Sequence, residues 1–305
     1  MTPKMVSKCR RSLSFPNHPN SLPKDSKRFS KTTSHFRSTS LPCTSHPLIY
    51  QLKDHLNHLK SWAAAGSTPD TRTSARLCDG LARLKTVHDY LDDILLLPQT
   101  QDSLRRQPDW IERLLDDFLR FVDAYRIFQT LVFTLKQEHS AAQVAVRRKD
   151  ESKVETYAKA MRKMGKEMGD LVSTVRCTTR SPSNSFVCNV DAELVEVILD
   201  VKEATALVST ALFSGISSSL VSRKPSWIWL GFAKKGRVEE GIQEFKQVGT
   251  ERCLWGLRKK GDEELRRVLK RMNELEDCIV KIGMGSERLF RSLISTRVSL
   301  LNVLT

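Results

Sequence analysis

The 305 residues carry 50 Lys and Arg against 35 Asp and Glu, a net charge of +15, and 40% of them are hydrophobic. Aromatic residues reach only 7% and glycines number 13, which argues against sandwiches, propellers and large α/β enzymes built on glycine-rich turns. Seven cysteines with no Cys-x-x-Cys spacing point away from a zinc knuckle or a secreted disulfide framework and towards a reducing, cytoplasmic compartment.

The charge is unevenly placed. Residues 1–45 hold nine basic side chains and one acid, Asp25, so this tail is +8 and the other 260 residues share +7. A body so close to charge balance lacks the basic face that tracks phosphates, and nucleic acid is not an expected partner. The tail is rich in Ser, Thr and Pro and buries too little apolar surface to offset the entropy of ordering, so it is expected to be disordered. An Arg- and Ser-rich, acid-poor organelle transit peptide is the competing reading. No long apolar stretch follows the start, and a secretory signal is not expected.

Within the tail, Arg11-Ser12-Leu13-Ser14-Phe15-Pro16 and Arg37-Ser38-Thr39-Ser40-Leu41-Pro42 share the pattern R-S-x-S-x-P. It resembles the phosphoserine motif read by 14-3-3 proteins. Phosphate on Ser14 or Ser40 adds nearly two negative charges and three acceptor oxygens, which an arginine cluster can clamp.

From Pro47 onward apolar residues recur at helical spacing. Leu48, Leu52, Leu56 and Leu59 mark a first helix ending near Ala65. Leu77, Leu81, Leu84, Leu91 and Leu95 mark a second, stopped at Pro98. A long third helix starts at Pro108 and carries Trp110, Leu114, Phe118, Phe121, Tyr125, Phe128, Leu131 and Leu135. Residues 150–176 and 190–222 give two more, residues 238–260 a weaker one broken by Gly241, Gly249 and Gly256. Leu265 to Ile282 form a seventh, and after Gly283 and Gly285 a final helix runs to the end. The expected fold is all-α: a disordered tail over 1–45, then a bundle of about seven or eight mostly antiparallel helices over 46–305.

The chemistry-bearing patterns are sparse. There is no phosphate-binding glycine loop and no nucleophile elbow. Asp54, His55 and His58 read as a solvated face rather than metal ligands, and no metal or other cofactor is expected. Asp92–Asp93 and Asp116–Asp117 read as exposed acids on helices, and Cys177 and Cys188 as free thiols. The uncharged run Ala204 to Ser222 contains too many Ser and Thr for a membrane span and is expected to be buried against other helices. After it, Trp227, Trp229 and Phe232 stand among Arg223, Lys224, Lys234, Lys235 and Arg237. Aromatics at headgroup depth and cations on anionic lipid are one reading of this segment, and a loop capping the core is the other.

Several blocks then resemble one plant family in order. Arg37 to Pro42, His46-Pro47-Leu48 and His55-Leu56-Asn57-His58-Leu59 are similar to its N-terminal signature. Tyr90 to Pro98 and Trp110 to Asp116 resemble its next two blocks. Leu275 to Cys278 and Glu287 to Asn302 resemble its C-terminal block. This is the land-plant family grouped with the BYPASS proteins. The resemblance runs from about residue 37 to 305 and implies a helical protein of root and shoot development, with no catalytic residues to carry over. The first R-S-x-S-x-P copy lies outside these blocks.

These features lead to the expectation of a non-enzymatic interaction protein with protein partners and a phosphorylatable tail. The alternative is a peripheral membrane adaptor that uses residues 223–237.

Overall fold

Proline opens three of the helices, because in a first turn its missing N–H leaves no hydrogen bond unmade. The computed structural model describes residues 46–65, 73–179, 192–221, 241–249 and 256–305. Among these it forms eight α-helices, one short 3-10 turn at Leu257–Lys259 and no strand. They are α1 (Pro47–Ala64), α2 (Ser74–Leu95), α3 (Pro98–Arg105), α4 (Pro108–Arg147), α5 (Glu151–Thr179), α6 (Ala192–Leu220), α7 (Gln243–Gly249) and α8 (Asp262–Leu304). The all-α expectation and the number of helices hold. Pro47, Pro98 and Pro108 stand at the starts of α1, α3 and α4. Thr73 caps α2 by accepting the N–H of Arg76 at 3.3 Å.

Two expectations are corrected. Pro98 was expected only to stop a helix, yet it also starts α3, whose single buried apolar residue, Leu104, is too little for periodicity to register. The chain was also expected to break at Gly283 and Gly285, whereas α8 runs unbroken for 43 residues. These glycines serve close packing instead. A Cβ at Gly283 would lie 3.3 Å from Val132 of α4, and one at Gly285 would lie 3.1 Å from Leu81 of α2. Each glycine costs the helix about 1 kcal/mol relative to Ala, and the buried stripe of α8 on both sides offsets that.

The α4–α5 turn is set locally. Lys149 adopts φ 53°, Lys149 N–H bonds Val146 O at 3.1 Å and Asp150 N–H bonds Ala145 O at 2.9 Å, which is the Schellman pattern. Asp150 then caps α5 by accepting the N–H of Lys153 at 3.2 Å.

Contacting pairs fix the directions. His139–Met272 and Val132–Gly283 run oppositely along α4 and α8, which are antiparallel. Ser74–Cys278, Leu81–Gly285 and Asp89–Ser292 advance together, so α2 and α8 are parallel. Lys53–Glu193 and Lys60–Asp200 likewise make α1 and α6 parallel. The helices close a ring in the order α2, α8, α4, α5, α6 and back to α2, with α1 packed on α2 and α6. Across this ring Tyr125 and Phe128 of α4 meet Phe213 of α6, at ring-centroid distances of 5.4 and 4.9 Å. All three are fully buried. The uncharged run that begins at Ala204 lies in this core, as its composition implied, and among the described residues no helix is long and apolar enough to cross a membrane.

Candidate functional site

Polar side chains run through the core. His88 sits between α6 and α8, with Nε2 3.0 Å from Thr205 Oγ1 and Nδ1 3.1 Å from Thr296 Oγ1. The Thr205 hydroxyl already donates to Val201 O at 2.7 Å. Nε2 is therefore the donor to Thr205, and Nδ1 faces the Thr296 hydroxyl, which also interacts with Asp92. Complete burial lowers the His88 pKa to about 4, against a small opposing pull from Asp89. His139 follows the same logic: Nε2 donates to Met272 O at 2.8 Å and Nδ1 accepts from Tyr157 at 3.0 Å. Burial lowers its pKa too, while the Met272 carbonyl and Glu276 oppose the shift. Tyr125 donates to Ser209 at 3.0 Å, because Ser209 has given its own proton to Thr205 O. Lys202 of α6 donates to Asp117 of α4 at 2.9 Å, and both side chains are only 9% exposed. These bonds specify how α2, α4, α6 and α8 meet.

Asp117 therefore corrects the expectation of a solvated acid pair: Asp116 is exposed and Asp117 is not. Asp92 is also half-buried, and burial raises its pKa although Ser295 and Thr296 pull it back. The signal for Asp117 was present, since it lies three residues from Leu114 and four from Phe121 on the apolar stripe. His58 faces Asp54 at 3.8 Å on the exposed side of α1, and His55 stacks on Tyr90 at 4.7 Å. Among the described residues no three His, Cys, Asp or Glu side chains are arranged to hold a metal ion. Cys177 is exposed; Cys188 lies outside the described residues. So do Ser14, Ser40, Trp227, Trp229, Phe232, Lys234 and Lys235.

The ends of the aromatic-basic segment are described. Ser219 Oγ donates to Gly215 O at 2.6 Å and accepts the N–H of Ile242 at 2.7 Å. Gly241 has φ 148°, and a Cβ there would lie 2.7 Å from Lys246 Cε. Val221 and Gly241, which flank residues 222–240, are thus held at one place beside the C-terminal end of α6.

Sequence patterning did not reveal a cleft of about 400 Å³ next to this point, walled by Trp62, Leu77, Leu207, Ala211 and Ile242. Arg76 and Arg176 reach it from α2 and α5. The outward faces of α4 and α8 also carry exposed apolar side chains: Leu119, Phe133, Met284, Ile294, Val298 and Leu301. The register that sets Val132 beside Gly283 puts Leu119 level with Ile294 and Val298, and Phe133 level with Met284.

These observations define a helical bundle with hydrogen-bonded polar side chains in its core and exposed apolar side chains on the outer faces of two neighbouring helices. A family model described as Protein BPS1 matches residues 80–303, well over half of the chain, and the chain belongs to the BYPASS family. That membership points to a role in plant development. No curated protein and no solved structure matches it.

Proposed function

We propose that this protein is a non-enzymatic interaction module of root and shoot development, in which the bundle docks a protein partner and the phosphorylatable tail recruits a second one. The observation that carries the reading is the level placement of Leu119 with Ile294 and Val298 on neighbouring helices, all of them exposed. Apolar side chains grouped in this way are suited to a partner's apolar face. The tail adds the regulated element: phosphate on Ser14 or Ser40 converts a +8 segment into a mixed one that a phosphoserine reader such as a 14-3-3 protein recognises. Affinity capture from plant tissue tests the docking reading. Leu119→Asp/Val298→Asp is expected to lose the partner set of the unaltered chain at least tenfold.

A second reading rests on the pinned ends at Ser219 and Ile242. Both flanks of residues 222–240 are held at one point, and the composition of that segment, with Trp227, Trp229, Phe232, Lys234 and Lys235, is suited to a peripheral membrane contact. Sedimentation with phosphatidylserine vesicles is expected to carry the protein down, and Trp227→Ala/Trp229→Ala to weaken this about tenfold or more. Equal sedimentation of the two proteins would remove the segment as the contact.

A further inference from the structure

The cleft between α1, α2, α5 and α6 has an unusual charge arrangement. Arg76 is held in place: its Nη2 donates to Trp62 O and its guanidinium lies 4.8 Å from the centre of the Trp62 ring. That fixes the group with donors to spare, since a guanidinium has five N–H bonds. Arg176 approaches from α5 and is exposed. Neither arginine has a carboxylate partner among the described residues, and no described carboxylate lines this cleft. Glu203 lies in an adjoining depression that also includes Arg176 and Leu207, and Glu244 is bonded to the N–H and hydroxyl of Ser74. The rest of the wall is mostly apolar, with Trp62, Leu207, Ala211 and Ile242, and carries the hydroxyls of Thr73, Thr210 and Ser214.

Two guanidinium groups on one half-enclosed cleft, with no carboxylate in its described lining, favour an anion there. The volume of about 400 Å³ falls within the range of small-molecule sites. We propose that this cleft binds a monomeric anionic amphiphile, a small molecule with one carboxylate on an apolar body. The carboxylate accepts from Arg76 and Arg176, and the body lies along Leu207, Ala211 and Ile242. Arg76, held against Trp62, provides the preorganised half of the clamp, and Arg176 closes on the ligand. This inference is independent of the docking surface on α4 and α8, which lies on other helices.

Isothermal titration of the full chain with dodecanoate below its micelle threshold tests the site, with dodecanol as the uncharged counterpart. One saturable site is expected for dodecanoate and binding at least tenfold weaker for dodecanol. Arg176→Gln is expected to weaken dodecanoate about tenfold without changing the melting temperature, because the side chain supports no other group. Ala211→Phe, which fills the apolar wall, is expected to weaken both ligands. Equal affinity for acid and alcohol, or undiminished binding by Arg176→Gln, would overturn the proposal. So would binding seen only with phosphatidylserine vesicles. If dodecanoate binds only after Trp227→Ala/Trp229→Ala, the cleft belongs to the chain's own aromatic segment and the proposal is also overturned.

Discussion

Replacing Asp117 with Ala is expected to cost about 3–5 kcal/mol of stability, measured by urea unfolding at pH 7. The substitution leaves the Lys202 ammonium buried in α6 with its one close acceptor removed. Arg120 also lies near Asp117, at 3.8 Å, but it is half exposed and adds little. The cost comes from stranding a charge rather than from losing an attraction. The double change Asp117→Leu/Lys202→Met is therefore expected to recover most of the loss, since a packed apolar pair of similar volume avoids the desolvation of both ions. If the double variant is as unstable as the single one, the pair acts through geometry that apolar side chains cannot replace.

The second large effect is a pH dependence. Burial holds the His88 pKa at about 4 in the folded protein, against its ordinary value of 6.5. The folded state thus binds fewer protons than the unfolded state between these values. The stability from a neutral His88 is complete above pH 6.5 and is lost as pH falls towards 4. The whole difference amounts to about 3 kcal/mol, and about 2 kcal/mol of it is gone by pH 5. His139 shifts in the same direction. In His88→Gln the amide can replace the bonds to Thr205 and Thr296 but does not titrate. Unfolding at pH 7 and pH 5 is expected to show the unaltered protein losing about 2 kcal/mol more than His88→Gln. Identical losses would mean that His88 is solvated or protonated in the fold.

The stripes of α1, α2, α4, α5 and α6 were legible because a 3.6-residue period repeated over four or more turns has few competing explanations. Leu52, Leu56 and Leu59, or Phe118, Phe121, Tyr125 and Phe128, all fall inside the core as their spacing requires. What the sequence concealed has physical causes. Asp117, Lys202 and His88 occupy stripe positions, but a charged or imidazole side chain there pairs with a residue on another helix, and helix order is not written in periodicity. Gly283 and Gly285 look like a break because the chain's own propensity is visible while the approach of Val132 and Leu81 is not. The cleft was illegible for the same reason. Trp62, Arg76, Arg176 and Ala211 come from four helices, and only the ring arrangement brings them together.

Docking on the bundle is tested by the capture comparison from plant tissue, with the intact chain, Leu119→Asp/Val298→Asp and Ser14→Ala/Ser40→Ala run side by side. Leu119 and Val298 are 37% and 48% exposed, so the bundle variant is expected to lose about 1 kcal/mol of stability and stay folded, while the tail variant melts with the intact chain. The bundle variant is expected to lose its direct partner, and the tail variant to keep it but lose its phosphate-dependent companions. Recovery of the same proteins at the same abundance by all three would contradict docking on this surface.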